Sequence, residues 1–291
     1  MFAGSCVALV TPMKPNGEVD ENALSNLVEW HINEGTAAIV VSGTTGESPT
    51  LTQDEQAHIL KKVVAIANKR IPVIAGTGTN ATANTIHRTA VAKEIGADAC
   101  LIVTPYYNRP TQLGLIEHFN AVAQAVDIPI LLYNVPSRTG CDLLPDTVAR
   151  LSKTKNIIGI KEATGNLERL KSLQEQCELG FLFYSGDDPT SCEFMLLGGQ
   201  GVISITSNAA PSAMQKMCEL AIRKEAKSAK TCDEILQPLH RLCIIEANPI
   251  PIKWAMHYLG KIDSGIRLPL TTLTRQYHEQ MIEALKTAAA N

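Results

Sequence analysis

The sequence predicts a (β/α)8 barrel, on three observations. Eight short apolar, β-branched runs recur from end to end, amphipathic segments of helical period separate them, and reactive polar residues gather at the C-terminal ends of the runs. The first two features describe a parallel sheet covered on both faces. The third describes an active site built from βα loops. A doubly wound open sheet shares the first two and is the alternative.

The eight runs are CVALVTP (6–12), AAIVVSG (37–43), IPVIAGTG (71–78), ACLIVTP (99–105), IPILLYNVP (128–136), IIGIKEA (157–163), FLFYSGDD (181–188) and GVISITSN (201–208). Between them lie helices with readable ends. DENALSNLVEWHINEG and NTIHRTAVAKEIG stop at Gly35 and Gly96, the residue type that tolerates the left-handed turn after a helix. In LTQDEQAHILKKVVAIANKR, Thr52 and Glu55 form a capping box, and Ile59, Val63, Ile66 and Ala67 share a face. Residues 1–224 are read as the barrel. Residues 225–291 exceed the one helix that closes it and are read as a C-terminal helical region, including ANPIPIKWAMHYLG and a final amphipathic helix in LTTLTRQYHEQMIEALKTAAA. Little in that region points to chemistry.

Composition narrows the partners. The 291 residues carry a formal charge of -3 and no basic run, which argues against nucleic acid and anionic membrane. The 8 cysteines are scattered without a C-x-x-C pair, several inside apolar runs, as core thiols in a reducing compartment would be. The histidines lack H-x-x-x-H or H-E-x-x-H spacing, so no metal site is expected. No basic segment precedes an apolar stretch at the N-terminus, and a cytoplasmic protein is expected.

The stretch IIGIKEATGN then asks why a buried strand should end in Lys161. One reading has the lysine snorkel outward or pair with Glu162. The other makes it a nucleophile, since a desolvated amine loses its proton more readily. Period-two alternation places Ile157, Gly159, Lys161 and Ala163 on one face, with Gly159 leaving room for the long side chain. It also turns Leu131 and Tyr133 inward and Asn134 outward, so Tyr133 and Lys161 meet over the barrel mouth, where a phenol can move protons. Around them, SGTTGE (42–47) offers amides and hydroxyls for an anion. Arg138 offers a carboxylate clamp. Of the adjacent Tyr106 and Tyr107, strand alternation, if it persists there, sends one into a site and the other toward a partner surface, and ordinary loop packing is the alternative. These residues together describe Schiff-base chemistry on a keto acid.

The combination SGTTGE, TPYYNRP, YNVPSRTG, GIKEATGN, SGDD and GVISITSN resembles the dihydrodipicolinate synthase family of pyruvate-dependent lyases, across essentially the whole chain. GTTGE and the Lys161 context mark the wider superfamily, which includes N-acetylneuraminate lyase. YNVPSRTG with Arg138 is the narrower mark. The resemblance implies that Lys161 forms an imine with pyruvate and that Tyr133, Thr44 and Tyr107 relay protons, Tyr107 from a neighbouring subunit. It implies Thr45 as the pyruvate-carboxylate ligand, Ile203 as a backbone contact to pyruvate, Arg138 as the anchor for the carboxylate of L-aspartate 4-semialdehyde, and Gly186 as a further substrate-binding residue. It further implies no external cofactor, a homotetramer built as a dimer of dimers, and 4-hydroxy-tetrahydrodipicolinate as product.

One departure concerns regulation. Lysine-inhibited members carry histidines and a glutamate where this chain has Gln53, Gln56 and Asn84, while Ser48, Asn80 and Tyr106 match. Losing the carboxylate partner of a bound amino group costs on the order of 1.5–3 kcal/mol, so weak or absent feedback by lysine is expected. Three other readings share parts of this pattern: a superfamily aldolase acting on a sugar-derived aldehyde, a pyridoxal phosphate barrel, and a non-catalytic keto-acid binder. Arg138 argues against the first, because a neutral polyol aldehyde has no carboxylate to meet it.

Overall fold

A computed structural model describes residues 2–289. Its strands are β1 (Gly4–Ala8), β2 (Ala38–Val41), β3 (Val73–Gly76), β4 (Ala99–Val103), β5 (Ile130–Asn134), β6 (Ile157–Glu162), β7 (Leu182–Ser185) and β8 (Gly201–Ser204). All pair in parallel in sequence order, and β8 returns to β1 with Cys6 beside Ile203, closing the barrel. The helices are α1 (Glu21–Asn33), α2 (Gln53–Ala67), α3 (Thr82–Ile95), α4 (Gln112–Ala125), α5 (Pro136–Thr139), α6 (Pro145–Leu151), α7 (Leu167–Gln176), α8 (Ser191–Leu196), α9 (Pro211–Ile222), α10 (Ala226–Leu242), α11 (Ile250–Tyr258) and α12 (His278–Ala289).

The strand alternation makes two apolar layers. Cys6, Ala8, Val40, Ile74, Leu101 and Leu131 fill the barrel interior, while Val7, Ile39, Val73, Ile102, Leu132 and Ile160 pack outward against the helices. The predicted ends hold where glycine or a cap specifies them. Gly35 and Gly96 adopt φ of 77° and 101° after α1 and α3, and the Thr52–Glu55 capping box is formed in both directions. On α2 the buried face is Ile59, Leu60, Val63 and Ala67, with Ile66 only partly covered.

Three expectations are corrected. The first strand starts earlier, at Gly4, and leaves the sheet after Ala8 as the chain approaches Pro12, which has no N–H for a ladder. In β6, a register shift opposite Ile130 and Leu131 interrupts the alternation, so Ile157 joins the outer layer and Ile158 packs on the inner one. Beyond β4 the strand geometry ends at Val103, and Tyr107 adopts a left-handed φ of 72°, so alternation does not orient the tyrosine pair.

The C-terminal elements pack onto the same outer core through Leu236, Leu239, Ile252, Met256 and Met281. Among the described residues the cysteines are free thiols, no cluster of candidate ligands is arranged to hold a metal, and no helix is long and apolar enough to cross a membrane.

Candidate active site

Tyr133 and Lys161 face each other in the β5–β6 register, and Nζ of Lys161 stands 4.3 Å from the centre of the Tyr133 ring. Both are buried. Glu162 points the other way, ion-paired to Nε of Arg169 at 2.9 Å and accepting from Nδ2 of Asn134 at 3.1 Å. Burial holds its carboxyl above the usual range, opposed by Asn134 and Arg169. Among the described residues, no carboxylate lies within ion-pair distance of Lys161. The snorkelling and pairing readings of this lysine therefore find no support in its surroundings.

What makes room for Lys161 is Gly186, not Gly159. A Cβ on Gly159 would meet the Leu182 carbonyl oxygen at 2.5 Å and Leu131 Cδ2 at 3.0 Å, so that glycine lets neighbouring strands approach. A Cβ on Gly186 would meet Cε of Lys161 at 2.8 Å.

Lys161, Tyr133, Thr44, Thr45, Arg138 and Gly186 line one cavity of about 250 Å³ at the C-terminal end of the barrel. Ile205 lines it as well, while Ile203 lies in the inner apolar cluster. The carboxylate of Asp188 accepts from the backbone N–H groups of Ile205 and Thr206 at 2.9 and 3.0 Å, fixing the end of β8. Tyr107 is not part of this cavity within one chain and is 90% exposed. A second cavity continues from Thr44 and Arg138 past Ser48 to Tyr106.

The C-terminal region supplies groups that sequence reasoning passed over. Asn248, in the turn before α11, lines the Lys161 cavity, and its Nδ2 donates to Thr45 Oγ1 at 3.0 Å. Its backbone carbonyl accepts from Nη2 of Arg138 at 3.4 Å. On α11, Lys253 forms a fully buried ion pair with Glu47, the last residue of SGTTGE, which sits at φ 56°. Burial pushes the Lys253 ammonium down, and the Glu47 carboxylate opposes this. The backbone N–H of Arg267 donates to the other Glu47 oxygen at 3.1 Å, and its guanidinium binds Glu55. The only sequence signal was the pair of prolines in ANPIPIK, which marks a shaped turn without saying what it faces.

Residues 1–288 match the model of the Dihydrodipicolinate synthetase family. This chain belongs to that family. Its relatives include the 4-hydroxy-tetrahydrodipicolinate synthase of Pseudomonas savastanoi pv. phaseolicola, 57% identical over 286 residues and 98% of each chain. That of Methylococcus capsulatus is 56% identical over 288 residues and 99% of each chain. Among solved structures, the chloride-inhibited dihydrodipicolinate synthase of Acinetobacter baumannii, complexed with pyruvate, superimposes with a TM-score of 0.98 at 52% identity, covering 99% of both chains. The family assignment agrees with the barrel and with the keto-acid chemistry that the cavity residues suggest.

Proposed function

We infer that the protein is a 4-hydroxy-tetrahydrodipicolinate synthase, condensing pyruvate with L-aspartate 4-semialdehyde. The observation that carries the reading is Lys161, buried beside Tyr133 with no described carboxylate partner, in a cavity shared with Thr45 and Arg138. The amine of Lys161 adds to the pyruvate carbonyl and expels water, leaving a protonated imine that acts as an electron sink. Loss of a methyl proton gives an enamine, which attacks the aldehyde carbon. The amino group of the second substrate then displaces Lys161 and closes the ring. Tyr133 and Thr44 carry protons at these steps, and Thr45 holds the pyruvate carboxylate. Arg138, exposed at the mouth, takes the carboxylate of the semialdehyde.

Tyr107 completes the relay from a second copy of the chain. Its exposure and left-handed backbone, in a loop whose backbone contacts reach Thr139, suit a side chain presented outward to a partner. The assembly is a homotetramer, and the enzyme works in the cytoplasm. Feedback by lysine is weak or absent. Asn84 is exposed, and Gln56 is already engaged, donating to the Ser48 carbonyl at 2.8 Å and accepting from Arg88 at 2.6 Å. A lysine titration of initial rates checks this, and full inhibition at low micromolar lysine refutes it.

The deciding experiment incubates the protein with pyruvate, reduces with borohydride and locates the adduct by peptide mass, with a parallel sample given the semialdehyde first. An adduct on Lys161 that is discharged as product forms is the expected outcome. An adduct that persists retains the superfamily and discards the second substrate. No adduct discards the mechanism.

A further inference from the structure

Three charged side chains line the Lys161 cavity: Lys161 itself, Arg138 and Asp187. The mechanism above uses the two cations and leaves the carboxylate without a task. Among the described residues Asp187 is the only carboxylate in that lining, and it belongs to no ion pair.

The local structure holds Asp187 in place and leaves one of its oxygens free. It follows Gly186, the residue against which Lys161 packs, at the end of β7. Its backbone N–H donates to Ser185 Oγ at 3.1 Å, and the same hydroxyl donates to its carbonyl at 2.9 Å. Thr190 Oγ1 donates to Oδ2 at 2.7 Å, and Gly165, at φ 72°, lets the loop after β6 pass beside that oxygen, where a Cβ would stand 3.3 Å away. Oδ1 accepts no hydrogen bond and is not enclosed by protein. The neighbouring Asp188 differs: it is buried and committed to the N–H groups of Ile205 and Thr206.

The charge balance of the cavity says what Oδ1 can meet. Once pyruvate is attached, its carboxylate offsets the protonated imine at Lys161. One fixed cation and one fixed anion remain, Arg138 and Asp187, and a zwitterion complements both. We propose that Asp187 receives the α-ammonium of the second substrate through Oδ1 while Arg138 takes its carboxylate, so that the pair selects α-amino aldehydes over aldehyde acids without the amino group. This rests on the proposed activity and adds a specificity residue to it. An aldehyde acid lacking the ammonium satisfies Arg138 but sets its own carboxylate near an unpaired one, a mismatch that discriminates against it.

The test compares wild type with Asp187→Asn, which keeps the shape of the side chain and the oxygen that Thr190 bonds. The second substrate is L-aspartate 4-semialdehyde, and succinic semialdehyde, the same four-carbon acid without the amino group, serves as competitor. The variant should lose at least about tenfold in kcat/KM for L-aspartate 4-semialdehyde, as loss of a charged hydrogen bond does. Its inhibition constant for succinic semialdehyde should stay within about twofold of wild type or become tighter, and borohydride trapping of pyruvate on Lys161 should be unaltered. A kcat/KM within twofold of wild type overturns the proposal, as does an equal loss for both aldehydes, the result expected if Asp187 only shapes its loop. If the wild type forms no product, the proposed activity has failed, and calorimetric titration of the untreated protein with L-2-aminobutyrate and with butyrate decides the clamp instead. The amino acid should then bind more tightly than the plain acid in wild type and lose that advantage in Asp187→Asn; equal binding of the two by wild type overturns the proposal.

Discussion

A Cβ at position 186 would stand 2.8 Å from Cε of Lys161 and 2.6 Å from Cβ of Ala163, closer than side chains pack. Gly186→Ala should therefore displace the lysine from Tyr133 while leaving the barrel folded. The expected result is a fall in kcat of on the order of 10²–10⁴, similar to removal of a proton-transfer group, with little change in Tm. Stopped rates and thermal unfolding check this together, and an active Gly186→Ala enzyme would contradict the assigned packing. Tyr133→Phe should lose activity in the same range, because it keeps the ring beside Nζ and removes only the hydroxyl. Arg138→Ala should raise KM for the semialdehyde roughly 10- to 100-fold, the cost of a charged hydrogen bond, and leave KM for pyruvate nearly unchanged. The inward direction of Lys161 and Tyr133 was legible because period two is a property of the strand itself. The role of Gly186 was not, since it depends on β7 lying beside β6.

The loop SGTTGE and the start of α11 behave as one unit, joined by the buried Glu47–Lys253 pair and by the Asn248–Thr45 hydrogen bond. Removing one partner of a buried ion pair leaves an uncompensated charge. Lys253→Met should therefore destabilise the protein by roughly 3–5 kcal/mol, and pairing it with Glu47→Gln should recover much of that loss. Chemical denaturation of the single and double variants measures the difference, and additive losses would show that the two charges do not act together. Asn248→Ala should raise KM for pyruvate, because Thr45 loses the donor that orients its hydroxyl. Existence and order of the elements could be read from apolar runs and caps. The register shift in β6 and the turn at Tyr107 could not, because each arises from how a strand meets its neighbour.

At the scale of the molecule, buried histidines tie stability to pH. His31 is fully buried, with Nδ1 2.9 Å from Thr36 Oγ1, and burial pushes its pKa down to about 3. His118, also buried, is pushed down to about 4. In the unfolded chain both titrate near 6.5, about the ordinary value. Above that pH neither state binds the extra protons. Between about 6.5 and the folded values the unfolded state takes them up first, so stability falls by about 1.4 kcal/mol per pH unit for each histidine. Tm should drop between pH 7 and pH 5, and the drop should be smaller in His31→Leu. An unchanged pH dependence in that variant would remove His31 from the account. On the same scale, Tyr107 places part of the proposed relay outside the single chain, so activity should fall on dilution to monomers, as read by parallel sedimentation and rate measurements.

The sequence by itself determined that there are eight parallel strands, that the reactive groups lie at one end of them, and that a lysine and a tyrosine point into the barrel. Each follows from local periods and from the rule that βα loops cluster on one face. Only the tertiary structure decided which glycine admits Lys161, and that Asn248 and Lys253 reach back some 200 positions to the SGTTGE loop. Those are relations between segments far apart in the chain. No local pattern encodes them, because the closing of the barrel and the docking of the C-terminal helices are what bring them together.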